Sequence, residues 1–130
     1  MRKPRILVCD DEEGIRESLD LMLGKDYQLE FATDGEEAIR IASERPFNLA
    51  LLDIKMPRVN GLEVLKWFRD NRPAVRVLML TAYQSVEMAR QALGQGAVDY
   101  LPKPFEQSEL KSTIARALAR PTTAKKTSAT

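Results

Sequence analysis

In Asn48-Leu49-Ala50-Leu51-Leu52-Asp53 an unbroken apolar run, Leu49 to Leu52, stops on a carboxylate. A strand covered on both faces reads this way, because neither side needs polar residues for water. Four further runs have strand character: residues 5–9 (RILVC), 27–31 (YQLEF), 75–80 (VRVLML) and 97–101 (AVDYL). Between them lie segments with apolar residues at helical spacing. Residues 12–23 carry Ile15, Leu19, Met22 and Leu23 on one face, with Gly24 placed to end the helix. Residues 35–45 carry Ala38, Ile39 and Ala42, and Pro46 stops them. Asp34 is set to cap that helix, with Glu37 three residues on as its reciprocal partner. Asn60-Gly61 opens a helix from 62 to about 71, Ser85 can cap one reaching about 93, and 106–119 forms the last.

Five strands and five helices in strict alternation predict an α/β fold. The sheet is parallel, its crossovers are right-handed, and helices cover both faces. At this size the doubly wound, flavodoxin-like strand order 2-1-3-4-5 is the natural arrangement. The 130 residues make one domain, expected over 1–120. Residues 121–130 (PTTAKKTSAT) are small, polar and basic, and read as a disordered tail or linker stub.

Composition excludes several classes of function. Twenty basic against nineteen acidic residues leave a net charge of +1, which asks for neither nucleic acid nor an anionic membrane. No apolar stretch approaches the roughly 20 residues of a membrane span, and no signal peptide is apparent, so a cytoplasmic protein is expected. The one cysteine, Cys9, sits in an apolar run and reads as a buried hydrophobe. There is no histidine. Any chemistry must therefore run on carboxylates, hydroxyls and lysine.

In an open parallel sheet, sites form beyond the carboxyl ends of the strands, where neighbouring connections diverge. Here that point lies between the first and third strands. The first ends in Asp10 and Asp11, and the third ends in Asp53. Two carboxylates about 4 Å apart repel by roughly 4 kcal/mol at an effective dielectric near 20, so three together need a counter-charge. An oxygen-only site suits a hard cation, Mg²⁺ or Mn²⁺. Thr81 ends the fourth strand and Lys103 follows the fifth. A hydroxyl, an ammonium, three acids and a metal suit phosphoryl transfer to a carboxylate. Taken singly, each residue also has an ordinary role: Asp10 and Asp11 as helix caps, Asp53 as a turn residue, Thr81 as a cap, Lys103 as a surface charge. Their common position at the carboxyl ends of the strands favours the site.

These stretches resemble the receiver domains of bacterial two-component response regulators. The likeness is carried by ILVCDDE (6–12), LLDIKMP (51–57) with Asn60-Gly61, LTA (80–82) and GAVDYLPKPF (96–105), and it spans residues 4 to about 119. Within the family, DYLPKPF is most similar to receivers of NtrC-type enhancer-binding transcriptional activators. The resemblance implies that Asp53 is the phosphoacceptor. It implies that Asp11 ligates the metal directly, that Asp10 helps through water, and that the Lys55 backbone carbonyl completes the protein's share. Lys103 would pair with the acceptor and later with the phosphate, and the Lys103–Pro104 peptide would be cis. Thr81 would move toward the phosphoryl group and Tyr100 would turn inward after it. The side chains of Lys55 and Tyr83 would influence phosphate lifetime.

The same resemblance implies a phosphorylation-dependent switch rather than an enzyme acting on a separate substrate. A histidine kinase would donate the phosphoryl group. The surface of the fourth helix, fifth strand and fifth helix would pass the change to an output domain, a partner protein or a second copy in a phosphorylation-dependent homodimer. A phosphatase of the haloacid dehalogenase type uses similar groups. It wants a second Asp two residues after the nucleophile, where this chain has Lys55, and a nucleophile on the first strand. A degenerate receiver used only for binding would not need the full set of Asp10, Asp11, Asp53, Thr81 and Lys103. A nucleotide-binding protein would not put acids after the first strand, where they repel phosphate.

Overall fold

The computed structural model describes residues 3–56, 58–82 and 86–120. The elements run β1 (Arg5–Cys9), α1 (Glu13–Leu23), β2 (Gln28–Ala32), α2 (Gly35–Glu44), β3 (Leu49–Asp53), α3 (Gly61–Asn71), β4 (Arg76–Ala82), α4 (Val86–Gly94), β5 (Asp99–Lys103) and α5 (Gln107–Ala119). The strands form one parallel sheet in the order β2-β1-β3-β4-β5. Ser85, Tyr83 and the tail 121–130, to which the sequence assigns a cap, a lifetime position and a disordered end, lie outside the described residues.

Period-two alternation sorts the central strands into two cores. Leu7 and Cys9 of β1, Ala50 and Leu52 of β3, and Val77 and Met79 of β4 pack with α2, α3 and α4 through Ala38, Ile41, Val64, Phe68, Ala89 and Ala92. Ile6 and Val8, Leu49 and Leu51, and Leu78 and Leu80 pack with α1 and α5 through Leu19, Leu23, Leu110 and Ile114. All five residues of β3 are buried, which is why its sequence shows no alternation. Each large side chain fully buried in these layers contributes roughly 1.5–3 kcal/mol of hydrophobic stabilisation.

Local signals set the helix ends. Asn60 caps α3 with a complete box: its side chain accepts from the Glu63 N–H at 3.0 Å, and Glu63 accepts from the Asn60 N–H at 3.1 Å. The cap on α2 differs from the sequence expectation. Asp34 accepts from the Glu37 N–H at 2.9 Å, but Glu37 Oε1 reaches one residue further back and accepts from the Thr33 N–H at 2.7 Å. Gly61 begins α3 pressed against the β3 exit; a Cβ there would collide with the Asp53 carbonyl oxygen and sit 2.8 Å from Ile54 Cα. The Gly61 N–H also donates to the Ile54 carbonyl at 2.9 Å, which pins α3 to the residue after Asp53.

The fifth strand falls two residues later than the sequence places it, at Asp99–Lys103 instead of 97–101. Pro102 stands inside it, opposite Thr81. β5 is an edge strand, the position in a sheet that tolerates proline. The shift matters for function, because Lys103 is the last strand residue, opposite Ala82, and is held by the sheet. The Lys103–Pro104 peptide is cis.

Candidate functional site: an acidic cluster at the carboxyl edge

The carboxyl ends of β1, β3, β4 and β5 bring Asp10, Asp11, Asp53, Thr81 and Lys103 to one edge of the sheet. Asp10 extends the line of β1, its N–H donating to the Ala32 carbonyl at 3.1 Å, and it is fully buried. Asp53 closes β3 and is 5% exposed. Between them stands Lys103. Its Nζ lies 2.8 Å from Asp10 Oδ2, 3.4 Å from Asp53 Oδ2 and 3.3 Å from Glu12 Oε1. One carboxylate oxygen from each of Asp10, Asp11, Glu12 and Asp53 lies within 4.8 Å of the others.

Glu12 is the member that the sequence reading did not assign to the site. It stands at the N-cap of α1, where its side chain makes no capping hydrogen bond. Its backbone is fixed instead, the N–H donating to Asp10 Oδ1 at 2.9 Å. The side chain is thereby free to turn toward Lys103. The signal was present in the run Asp10-Asp11-Glu12, but a Glu at the start of a helix reads first as a partner of the helix dipole.

One ammonium does not balance four carboxylates. Burial raises the Asp53 carboxyl to about 6, and the neighbouring Asp10 adds to the rise, while Lys103 opposes both. Burial also works against the Lys103 ammonium, but Asp10, Asp53 and Glu12 outweigh it and hold the group above its ordinary range. Asp10 Oδ2 is buried without a hydrogen bond; Lys103 meets it as a charge contact. An all-oxygen cluster with excess negative charge has the chemistry of a hard divalent cation site, and Asp10, Asp11, Glu12 and Asp53 are the carboxylates placed to hold it. The Lys55 side chain is exposed, two residues beyond the end of β3.

Thr81 is fully buried at the end of β4, and its hydroxyl donates to the Ala82 carbonyl at 3.0 Å rather than to an acid. Tyr100 is half-buried against the core on the α2–α3–α4 side. Strand parity separates these residues. Asp53 follows Leu49 and Leu51, and Lys103 follows Leu101, on the side of α1 and α5. Thr81 follows Val77 and Met79 on the opposite side, where Tyr100 also packs. Cys9 lies beneath the site, its Sγ 3.2 Å from the Asp34 carbonyl oxygen and 3.2 Å from Met56 Sδ. Burial, reinforced by the surrounding acids, pushes its thiol far up, so it stays protonated and behaves as a small hydrophobe.

The model of the response regulator receiver domain matches residues 6–115, a span that contains every residue of this cluster. The chain belongs to that family. Response regulator MprA of Mycolicibacterium vanbaalenii is 47% identical over 121 residues, covering 92% of this chain and 52% of that protein. MprA of Mycobacterium tuberculosis is 48% identical over 120 residues, covering 91% and 51%. The chain thus spans about half the length of these relatives. Among solved structures, a putative response regulator from Chloroflexus aurantiacus superposes with a TM-score of 0.86 at 31% identity, covering 92% of this chain and all of that one. NtrX from Brucella abortus superposes with a TM-score of 0.85 at 31% identity, covering 89% of this receiver and 27% of that protein. The receiver fold and its place in two-component signalling are therefore established. Among the described residues no helix is long and apolar enough to cross a membrane.

Proposed function

We propose that this receiver takes a phosphoryl group onto Asp53, with Lys103 and a divalent cation at the acidic edge, and so acts as a two-component switch. The observation that carries the reading is the placement of Asp53. It is a buried carboxylate at the end of a fully buried strand, 3.4 Å from the Lys103 ammonium and inside a four-acid cluster. Although its carboxyl is raised to about 6, it is mostly ionised at neutral pH and able to attack. An Asp53 oxygen forms a bond to phosphorus as the bond to the donor breaks. The donor, a phosphohistidine of a kinase or a small acyl phosphate, leaves with that electron pair. Lys103 offers its charge to the phosphoryl oxygens. Mg²⁺ or Mn²⁺ held by Asp10, Asp11, Asp53 and the Lys55 carbonyl would neutralise the remaining charge.

The acyl phosphate adds charge and acceptor oxygens at the edge where Thr81 ends β4, its hydroxyl donating to the Ala82 carbonyl. Thr81 turns to the phosphoryl group, Tyr100 follows into the space released, and the α4–β5–α5 surface changes its packing. An output domain, a partner protein or a second copy reads that surface in the cytoplasm. The domain catalyses only its own phosphorylation and dephosphorylation. The decisive test is intact mass spectrometry after incubation with acetyl phosphate and Mg²⁺. A single phosphate-sized gain that needs Mg²⁺ and disappears in Asp53→Asn supports the reading; full labelling of the variant overturns it.

A further inference from the structure

We propose that Glu12 is a positioning residue for Lys103, holding its ammonium toward the mouth of the site and so limiting how much of that charge an incoming phosphoryl group can use. The inference deepens the phosphoacceptor reading and rests on it. Three observations carry it. Lys103 Nζ is shared by three carboxylates, and Glu12 Oε1, at 3.3 Å, is as near as the acceptor Asp53 at 3.4 Å. Glu12 is the one partner at the rim, its side chain 63% exposed where those of Asp10 and Asp53 are 0% and 7%. Its backbone is tied to Asp10 through the 2.9 Å bond to Oδ1, so the side chain starts from a fixed point and needs no rearrangement to reach the ammonium.

A bound cation would strengthen the effect. Held among the carboxylates of Asp10, Asp11 and Asp53, it would repel the ammonium that sits 2.8 Å from Asp10. Lys103 then has two anionic destinations: the acceptor with its phosphoryl group, and Glu12. The lysine is only 12% exposed and tethered at the end of β5, so it chooses between neighbours and does not swing free into water.

The test compares the wild type with Glu12→Gln, the conservative Glu12→Asp, and Glu13→Gln. Glu13 is an exposed acid one residue along; removing it changes net charge equally without touching Lys103. With acetyl phosphate at saturating Mg²⁺, Glu12→Gln lowers KM by about two- to fivefold, the range for one partly exposed ion pair, with kcat nearly unchanged. Glu12→Asp restores much of the wild-type KM, and Glu13→Gln leaves it in place. In the metal-free protein without donor, the Lys103 ammonium resonance, assigned by its loss in Lys103→Arg, shifts in Glu12→Gln and not in Glu13→Gln. Equal KM changes in Glu12→Gln and Glu13→Gln reduce the effect to bulk charge and overturn the proposal. So does a Lys103 resonance that ignores Glu12→Gln. The resonance needs no phosphorylation, so a wild type that refuses the donor sinks the phosphoacceptor reading while this measurement still decides Glu12's hold on Lys103.

Discussion

Replacing Asp53 with asparagine is expected to stabilise the metal-free protein at neutral pH while abolishing its chemistry. The reason lies in the raised carboxyl. Burial and the Asp10 charge carry Asp53 from an ordinary 3.8 to about 6, even with Lys103 3.4 Å away. An acid with a raised pKa in the folded state favours the fold when protonated and opposes it when ionised. The penalty is absent below about 4, grows between 4 and 6, and is complete above 6. At 1.36 kcal/mol for each pH unit, the interval from 3.8 to about 6 corresponds to about 3 kcal/mol. The asparagine side chain has the shape of the protonated acid and no charge, so the variant escapes most of this. Urea unfolding in EDTA at pH 7.5 should show Asp53→Asn more stable than wild type by about 1–3 kcal/mol, with the gap closing toward pH 4. Saturating Mg²⁺ should narrow the gap. A ligand at a hundred times its Kd adds about 2.7 kcal/mol to the protein that binds it, and the variant has lost one ligand. A variant no more stable than wild type at pH 7.5, or a gap that does not change with pH, would refute the argument that Asp53 is held ionised at a cost.

Asp11→Ala should weaken Mg²⁺ binding by tenfold or more, about 1.4 kcal/mol, in a fluorescence or calorimetric titration; an unchanged curve removes Asp11 from the site. Thr81→Ala should leave Asp53 labelling possible while damping the phosphorylation-induced amide shifts of β5 and α4 in NMR spectra; a full response without the hydroxyl argues against the switch. Gly61→Ala should destabilise the fold by about 1–3 kcal/mol in urea, because the new Cβ meets the Asp53 carbonyl and Ile54 Cα where the backbone has no room to yield. Wild-type stability in that variant would show that the α3 start moves away at little cost.

Much of this was legible in the sequence because the central strands carry no ambiguity. β1, β3 and β4 are apolar on both faces, and a run such as residues 48–52 fits little but a covered parallel strand. Asp10, Asp53, Thr81 and Lys103 could be placed together because a parallel sheet gathers the ends of its strands. β5 was harder. Pro102 and Lys103 read as the start of a loop, and only the pairing with Thr81 and Ala82 shows that the edge strand runs through them. Spacing assigns Glu37 to the Asp34 backbone, yet its side chain closes on Thr33, since side-chain reach at a helix start is not fixed by spacing alone. Glu12 has no site signature in the sequence for a related reason. Its identity announces a helix start, and its turn toward Lys103 depends on the Asp10 bond to its backbone, a tertiary detail with no signature in the chain.

The parity of the strands gives the domain a division of labour. Asp53 and Lys103 stand in line with the core beneath α1 and α5, while Thr81 and Tyr100 belong to the layer shared with α4. The sheet lies between the two layers. A substitution under α1 and α5 would therefore bear first on the surroundings of Asp53 and Lys103, and one under α4 on those of Thr81 and Tyr100. Thr81 ends a strand paired with both β3 and β5, which puts it between the strand that carries Asp53 and the strand that carries Lys103.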